Sequence, residues 1–391
     1  MRKENGENQE GGTGRGVVVI GANWRSVIEL FRKVDIKKEK ILFQTAISWY
    51  ALSGRSVLVE EDHLHDISVI RNFYPPGWCS VFSEIYGRIF AKNISNFLRM
   101  HKKNPSVLCF VQPQPYFEFV VSEVEHTSIV YYCVDDYRQF WPDRKSSIEM
   151  LENDIVRKSA LVVCASKYMM DELQKRIKGI EKKIIHIPNG TFSEYIVPEV
   201  LKTPAPLPED IKHLARPVIG YLGNIQGRVD WNIMELLVVS LPRASILLIG
   251  PPPDKKHSDS RALSELLTHS NCFFIGYRKQ EEIMKYICSF DVCIIPEPLY
   301  PLNVAGCPQK LWNYLASSRP IVSTAVPEQM LLQPAVKIAN GAESFVQHVK
   351  ELIDCNGEDG FGEERLNLAK MHTWDELGKK LTFEIKAQGI I

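Results

Sequence analysis

Short apolar segments, each followed by a turn and a helical stretch, recur from Val17 onward in this chain. The clearest copy runs from Phe290 to Thr324. Val292 to Ile295 is an apolar segment that ends at Pro296, which is typical of a buried parallel strand. A loop, a helix and a second strand at Ile321 to Ser323 follow. Strands that alternate with helices in this way predict a doubly wound sheet.

The helix of this copy has a marked start and carries a lysine. Pro308 suits the first helical turn, because its missing N–H costs nothing there. Leu311, Tyr314 and Leu315 fall on one face, which predicts packing on a sheet. Lys310 lies in the first turn, where unpaired N–H groups and the helix dipole favour an anion such as a phosphate. The alternative is an ordinary strand, loop and helix with a solvated lysine.

The length of 391 residues favours two domains over one core. The alternation of strands and helices fills residues 17–195 and restarts at 217–372, and the intervening 196–216 is rich in proline, as in an interdomain linker. We expect an α/β protein with two doubly wound, Rossmann-like domains facing across a cleft. Residues 1–16 predict a disordered tail, and 373–391 one last helix.

Two places in the first half bear on fold and chemistry. After the turn at Gly21 we expect a helical stretch through Tyr50 and then a strand at Ser56 to Val59. Further on, the strand Ile129 to Val134 runs into Asp135 and Asp136. Paired carboxylates at the carboxyl end of a strand suit acid/base work or the binding of sugar hydroxyls. The alternative is that one of them caps the next turn.

Composition excludes several classes of protein. With 47 basic and 47 acidic residues the net charge is zero, which argues against bulk binding of nucleic acid. The nine cysteines include no C-x-x-C pair, so neither a zinc site nor a disulfide framework is indicated, and a reducing, cytoplasmic compartment is favoured. No apolar segment reaches the ~20 residues that span a bilayer. The polar start lacks the apolar centre of a signal peptide.

Residues 88–103 contain no acidic residue and predict a basic amphipathic helix. Its basic side chains cluster on one side, and its apolar side chains lie opposite. Such a helix could bind an anionic membrane surface. The alternative is a surface helix that packs on its own sheet with a solvated basic face. The basic residues are Arg88, Lys92, Arg99, Lys102 and Lys103, and the apolar ones are Phe90, Ile94, Phe97 and Leu98.

Eight short motifs stand out along the chain. They are Tyr132-Cys-Val-Asp-Asp-Tyr137, Leu161-Val-Val-Cys-Ala-Ser-Lys167, Ile187-Pro-Asn-Gly190, Gly220-Tyr-Leu-Gly223, Leu247-Leu-Ile-Gly-Pro251, Phe274-Ile-Gly-Tyr277, Phe290-Asp-Val-Cys-Ile-Ile-Pro296 and Pro308-x-Lys-Leu-x-x-Tyr-Leu-Ala316. Together they resemble bacterial retaining glycosyltransferases of the GT-B fold, in collinear order over about 17 to 380. The teichuronic-acid-type members of glycosyltransferase family 4 are the most similar.

The resemblance implies transfer of a sugar, with retention, from a nucleotide diphosphate to a saccharide or lipid-linked acceptor. UDP is the favoured nucleotide, the reaction uses no metal or bound cofactor, and the product is a cell-surface polysaccharide made at the cytoplasmic membrane face. It further implies that the acceptor binds mainly in the first domain and the donor in the second. Fixed cations and N–H groups would stabilise the charge on the departing diphosphate.

The resemblance also implies roles for individual residues. Gly223 and Asn224 are similar to the glycine loop that faces the diphosphate, and Gly276 with Tyr277 to the turn beside the base. The expected catalytic residues are Lys310, Arg228 and Asp136, the last as a polar contact near the acceptor. The expected donor-binding residues are Gly223, Asn224, Gly276, Tyr277, Asn303, Pro308 and Asn313.

Three positions depart from the family pattern. Asn313 stands where many members carry a glutamate thought to hold the ribose hydroxyls. An amide can still bond a diol, but the charge-assisted bond, worth about 1 kcal/mol or more, is lost. Thr191 follows the P-N-G turn without the usual aspartate nearby, and Cys307 replaces a common asparagine. Two alternatives stay open, a nucleotide-sugar epimerase of the same shape and a non-catalytic partner protein.

Overall fold

The computed structural model describes residues 15–23, 25–36, 40–48, 59–62, 67–74, 83–100 and 104–390, and strands alternate with helices along them. The strands are β1 (Arg15–Ile20), β2 (Lys40–Ser48), β3 (Val59–Asp62), β4 (Ile67–Tyr74), β5 (Asn104–Phe110), β6 (Ser128–Cys133), β7 (Leu161–Cys164), β8 (Ile184–His186), β9 (Val218–Leu222), β10 (Ser245–Ile249), β11 (Cys272–Phe274), β12 (Val292–Ile295), β13 (Ile321–Thr324) and β14 (Lys337–Ala339). The helices are α1 (Arg25–Lys33), α2 (Ser83–Met100), α3 (Phe117–Glu123), α4 (Lys145–Lys158), α5 (Lys167–Arg176), α6 (Trp231–Ser240), α7 (Ser258–Leu266), α8 (Ile283–Ile287), α9 (Pro301–Val304), α10 (Gln309–Ala316), α11 (Pro327–Met330), α12 (Ala342–Asp354), α13 (Gly362–Met371) and α14 (Trp374–Ala387).

The first sheet has the strand order β3-β4-β2-β1-β5-β6-β7-β8. β1 pairs in parallel with β2 and β5, and β5 pairs in parallel with β6. Val17 to Ile20 are buried in this position. A strand covered on both faces has no need for polar alternation, which explains its continuous apolar sequence. β3 pairs antiparallel with β4 at the edge.

The predicted helical stretch through Tyr50 is wrong in its second half. α1 ends at Lys33, and residues 40–48 form β2, which pairs with both β1 and β4. By periodicity alone, a short apolar segment such as Ile41 to Phe43 fits a buried helix or a buried strand. The pairing of β2 with a strand on each side is what makes the segment a strand. The predicted strand at 56–59 lies outside the described residues apart from Val59, where β3 begins.

The second sheet has the order β11-β10-β9-β12-β13-β14, and each of its strand pairs is parallel. This is the strand order of a Rossmann sheet. Each face carries its own apolar core. Leu237 of α6 and Phe345 of α12 belong to the core on one face. Ile287 of α8 and Leu315 of α10 belong to the other. The predicted two-sheet, Rossmann-like α/β fold is therefore confirmed.

The chain divides into two compact units. The first comprises the residues up to Tyr132 together with 143–163 and 382–391, and the second comprises 133–142 and 164–381. The second unit thus contains the whole second sheet and also the segment that follows β6. Every residue that the resemblance assigns to the site lies in this second unit.

The proline-rich segment 196–216 has no strand or α-helix and only a 3-10 turn at Glu209–Ile211. Its backbone donates hydrogen bonds to residues at the ends of α10 and α8 in the same unit. Val197 N donates to Ala316 O at 3.0 Å, and Ala205 N donates to Cys288 O at 2.8 Å. Prolines interrupt regular backbone pairing in such a segment, so N–H groups such as these bond to neighbouring elements instead.

α2 is the amphipathic helix predicted from the basic segment. Phe90, Ile94 and Leu98 are buried, whereas Arg88, Lys92 and Arg99 are exposed. The predicted Lys102 and Lys103 lie outside the described residues. In the part of the chain that the structure covers, no helix has the length and apolar character needed to cross a bilayer.

Candidate active site

The site is built where the order of the second sheet reverses, between β9 and β12. In a parallel sheet the loops that leave two such neighbouring strands diverge and open a crevice at their carboxyl ends. Residues 223–230 follow β9, and residues 296–308 follow β12. The side chains of both loops therefore face the same end of the sheet, together with the first turn of α10.

Lys310 is anchored in this crevice by two partners. Its Nζ lies 2.8 Å from Glu297 Oε1 and donates a 3.1 Å hydrogen bond to Tyr221 OH. The side chains of Lys310 and Glu297 are only 8% and 1% exposed. Burial lowers the pKa of Lys310, but the Glu297 carboxylate and Tyr221 outweigh burial and raise it. The ammonium is therefore charged, fixed and close to the end of β9.

Gly223 makes room for this lysine. A Cβ on Gly223 would lie 2.8 Å from Lys310 Cε. The next strand adds a second close approach, since a Cβ on Gly250 would lie 1.9 Å from the carbonyl oxygen of Gly223. The two glycines thus allow the ends of β9 and β10 and the lysine side chain to pack together. Two of the residues expected at the site, Gly223 and Lys310, therefore lie side by side.

Arg228 is oriented by Asn303. Arg228 Nη1 donates a 2.7 Å hydrogen bond to Asn303 Oδ1, and Asn303 Nδ2 donates to the carbonyls of Gly227 (3.1 Å) and Pro298 (2.9 Å). Asn303 is buried, so this amide ties the loop after β9 to the loop after β12. Asn303 was expected to bind the donor. In the structure its amide holds the arginine.

The two aspartates after β6, Asp135 and Asp136, differ in their hydrogen-bond partners. Asp136 caps the 3-10 turn Tyr137–Gln139 and accepts hydrogen bonds from Arg138 Nε (2.7 Å) and Gln139 Nε2 (3.0 Å). Burial raises the pKa of Asp136, but these donors lower it overall. Asp135 Oδ1 is buried and has no hydrogen-bond partner among the described residues. The capping alternative thus describes Asp136, and its predicted acceptor contact stays a prediction.

Burial and neighbouring groups act in opposite directions on the pKa of Asp135. Burial raises the pKa of Asp135 to about 6, although Arg228 and the backbone N–H of Asp136 lower it. Lys310 is bonded directly to Tyr221 and Glu297. The positive charge of Arg228 also lowers the pKa of Tyr221, although burial raises it overall.

The turn predicted beside the base follows β11. Gly276 has φ +72°, a conformation that favours glycine, and its carbonyl accepts from Gly250 N at 3.0 Å. Tyr277 is 65% exposed and free to contact a ligand. Asn224 is exposed, and its carbonyl accepts from Tyr221 OH.

α10 begins one residue later than predicted. Pro308 is its N-cap, with φ −72° and ψ 127°, and Gln309 is the first helical residue. The buried face of Leu311, Tyr314 and Leu315 is confirmed. Asn313 is also buried, and its Oδ1 accepts a 2.9 Å hydrogen bond from Thr191.

The departures from the family pattern meet each other in the structure. Cys307 Sγ accepts from Asn189 N at 3.3 Å and from Trp312 Nε1 at 3.5 Å. Asn189 Nδ2 donates to the Cys307 carbonyl. The P-N-G turn is thus bonded to the start of α10 through Cys307, and to its middle through the Thr191–Asn313 contact.

Sequence reasoning did not single out Glu297 and Tyr221, the two partners of Lys310. Glu297 directly follows Pro296 at the end of β12, so the rule that pointed to Gly223 could have found it. Thr324 Oγ1, at the end of β13, donates to Glu297 O at 2.8 Å and fixes its backbone. No grouping of three or more metal-ligating side chains occurs within the described segments.

Comparison with known proteins shows which sequences this chain is similar to. Residues 216–355 match the family model described as glycosyl transferases group 1. The putative teichuronic acid biosynthesis glycosyltransferase TuaH of Bacillus subtilis is 26% identical over 242 residues. That match covers 61% of this chain and spans only 59% of the length of TuaH.

Solved structures share the architecture along almost the whole chain. Sucrose-phosphate synthase from Thermosynechococcus elongatus superposes with a TM-score of 0.71 at 14% identity, covering 95% of this chain and 98% of that one. Anabaena Alr3699/HepE in complex with UDP and glucose gives 0.68 at 12% identity, covering 95% and 100%. Residues 216–355 are thus similar to the glycosyl transferases group 1 family, and the chain shares the GT-B fold of these solved structures.

Proposed function

We propose that this protein is a retaining glycosyltransferase that moves a sugar from a nucleotide diphosphate, with UDP favoured, to a saccharide or lipid-linked acceptor. The observation that carries the proposal is the fixed ammonium of Lys310 at the switch point of the second sheet, with Arg228 on the adjoining loop. Two fixed cations at the carboxyl ends of parallel strands suit a diphosphate.

Departure of the nucleotide diphosphate builds negative charge on the oxygen that leaves the sugar. Lys310 is held in place before the donor arrives, so little reorganisation is needed when that charge develops. Arg228 is oriented by Asn303 in the same way. We propose that these two cations replace a divalent metal and that the reaction proceeds without one.

The donor and the setting are supported by the comparisons. Alr3699/HepE was solved with UDP and glucose, which supports a UDP-sugar here. The name of TuaH, a teichuronic acid biosynthesis glycosyltransferase, supports a role in a cell-surface polysaccharide. We propose that the protein works in the cytoplasm, at the inner face of the membrane, with α2 against the lipid surface.

Thermal unfolding with UDP, GDP, ADP and dTDP, each in EDTA, tests the donor site. A ligand at 100 times its dissociation constant adds about 2.7 kcal/mol to the unfolding free energy, which raises the midpoint by several degrees. We expect a shift with UDP. A shift that appears only when Mg²⁺ replaces EDTA would contradict metal independence, and no shift with any nucleotide would contradict the donor site.

Transfer is tested with labelled UDP-sugars and free or lipid-linked saccharides. Lys310→Ala should abolish transfer, whereas Lys212→Ala, at an exposed lysine that pairs with exposed Glu209, should not. Interconversion of the donor without an acceptor would identify an epimerase. Complex formation with another transferase that Lys310→Ala leaves intact, without any turnover, would identify a non-catalytic partner.

A further inference from the structure

The loop after β9 carries Arg228 and is bonded to the helix that follows β10. Asp259 lies in the first turn of that helix, α7, where the helix dipole favours a carboxylate. Its Oδ2 accepts a 2.6 Å hydrogen bond from the backbone N–H of Gly227, and its Oδ1 accepts a 2.9 Å hydrogen bond from Trp231 Nε1. One carboxylate thus bonds the residue before Arg228 and the first residue of α6.

Asp259 is well placed to restrain this loop. Its backbone N–H donates to His257 Nδ1 at 3.2 Å, which caps the start of α7. Asp259 is only 8% exposed. A hydrogen bond to an ionised acceptor is about twice as strong as one between neutral groups. The short bond from Asp259 therefore holds the backbone of Gly227 more firmly than a solvated side chain would.

The same glycine is bonded through its carbonyl as well. Gly227 O accepts a 3.1 Å hydrogen bond from Asn303 Nδ2, and Asn303 Oδ1 accepts the 2.7 Å hydrogen bond from Arg228 Nη1. Asp259 and Asn303 thus hold the N–H and the carbonyl of the residue that precedes Arg228. Asn303 is neutral, so it orients the guanidinium and leaves its charge available to an anion. Arg228 itself is half-buried.

We propose that Asp259 is a positioning residue for the donor site. It holds the loop after β9 so that Arg228 faces the diphosphate of the nucleotide, and it acts through Arg228 without contacting the substrate. The proposal rests on the proposed function, because Arg228 is one of the two cations assigned there to the diphosphate. It adds a residue from α7 to the elements on which donor binding depends.

Isothermal titration of the full chain with UDP, arranged as a double-mutant cycle with Arg228, tests the proposal. Asp259→Asn keeps the shape of the side chain but removes its charge, and should raise the UDP dissociation constant about tenfold, as the loss of one charged hydrogen bond would. In an Arg228→Ala background the same change should alter the dissociation constant by no more than about twofold, because no cation remains for Asp259 to position.

Trp231→Phe is a second, milder variant. It keeps an aromatic ring, removes one of the two donors to Asp259, and should weaken UDP binding by a smaller factor, again only where Arg228 is present. Should Asp259→Asn fail to fold, this variant carries the same test in both backgrounds. Glu265→Gln is the matched control, since Glu265 is the other carboxylate of α7 and is exposed beside Arg261. It should leave the dissociation constant unchanged.

Two results would overturn the role of Asp259 while leaving the donor site intact. One is wild-type UDP affinity in Asp259→Asn. The other is an equal loss of affinity with and without Arg228, which would mean that Asp259 supports the fold and does not act through the arginine. A wild-type protein that binds no UDP would instead contradict the donor site, and this role with it, so the two failures are distinguishable.

Discussion

Lys310 and Glu297 are buried together, so each depends on the other for its charge. Their separation of 2.8 Å offsets the cost of removing both from water. Glu297 Oε2 has no partner within the described residues. The pair therefore fixes the position of the ammonium, as the proposed binding of a diphosphate requires.

This dependence gives a prediction that separates stability from binding. Lys310→Met should lower the unfolding free energy by about 3–5 kcal/mol, because Glu297 is left as an unpaired buried charge. Adding Glu297→Gln should restore much of that loss but not the affinity for UDP. Urea unfolding and the UDP-induced thermal shift measure the two effects. Wild-type UDP affinity in the double variant would contradict the role of Lys310.

The Asp135 carboxyl gives a prediction in pH. Burial raises its pKa from 3.8 to about 6, so this carboxylate takes up a proton as the pH falls through about 6. The folded state holds this proton more tightly, so the wild type should gain unfolding free energy between pH 6 and pH 4 relative to Asp135→Asn. Urea unfolding at several pH values measures this difference, and matching pH profiles in the two proteins would contradict the raised pKa of Asp135.

Elements could be predicted from the sequence wherever local pattern and tertiary context agree. The strand Val292–Ile295 and the buried face of α10 follow directly from their apolar spacing. β2 could not be predicted, because its local sequence fits a helix or a strand equally well. Its pairing with β1 and β4, which are distant in sequence, makes it a strand. The site divides in the same way. Gly223 and Lys310 are visible in motifs, whereas the Glu297–Lys310 pair and the different partners of Asp135 and Asp136 depend on three-dimensional contacts.

The glycine at the end of β9 gives a prediction about the loop and α10 together. Gly223→Ala places a Cβ 2.8 Å from Lys310 Cε, so the lysine side chain must move. We expect UDP affinity to fall by about tenfold or more as the ammonium loses its geometry, comparable to one charged hydrogen bond. Isothermal titration measures it. Gly179 also has a positive φ, but the space around an added Cβ is open. Gly179→Ala should therefore lower the unfolding free energy and leave UDP affinity unchanged. Equal affinities in both variants would contradict this account.

On the scale of the whole molecule, the charge balances to zero, so any attraction to an anionic surface must be local. α2 offers such a place, because exposed Ile85, Ile89 and Met100 accompany its basic residues. One of these basic side chains, Arg88, has partners within the first unit. Arg88 pairs with Glu84 at 3.0 Å and lies 4.8 Å from the centroid of the Phe119 ring. Lys92 and Arg99 are exposed and can contribute to a lipid contact.

Reversing the charge of α2 tests where the protein works. Each Lys or Arg near an anionic membrane contributes about 1 kcal/mol, so changing Arg88, Lys92 and Arg99 to Glu should reduce binding to phosphatidylserine vesicles by a hundredfold or more. Changing exposed Lys178, Lys379 and Lys386 to Glu alters the net charge equally and should have a much smaller effect. Sedimentation with vesicles measures both. Equal losses would mean that net charge alone governs attraction, and unchanged binding in the α2 variant would assign this helix to packing on its own sheet.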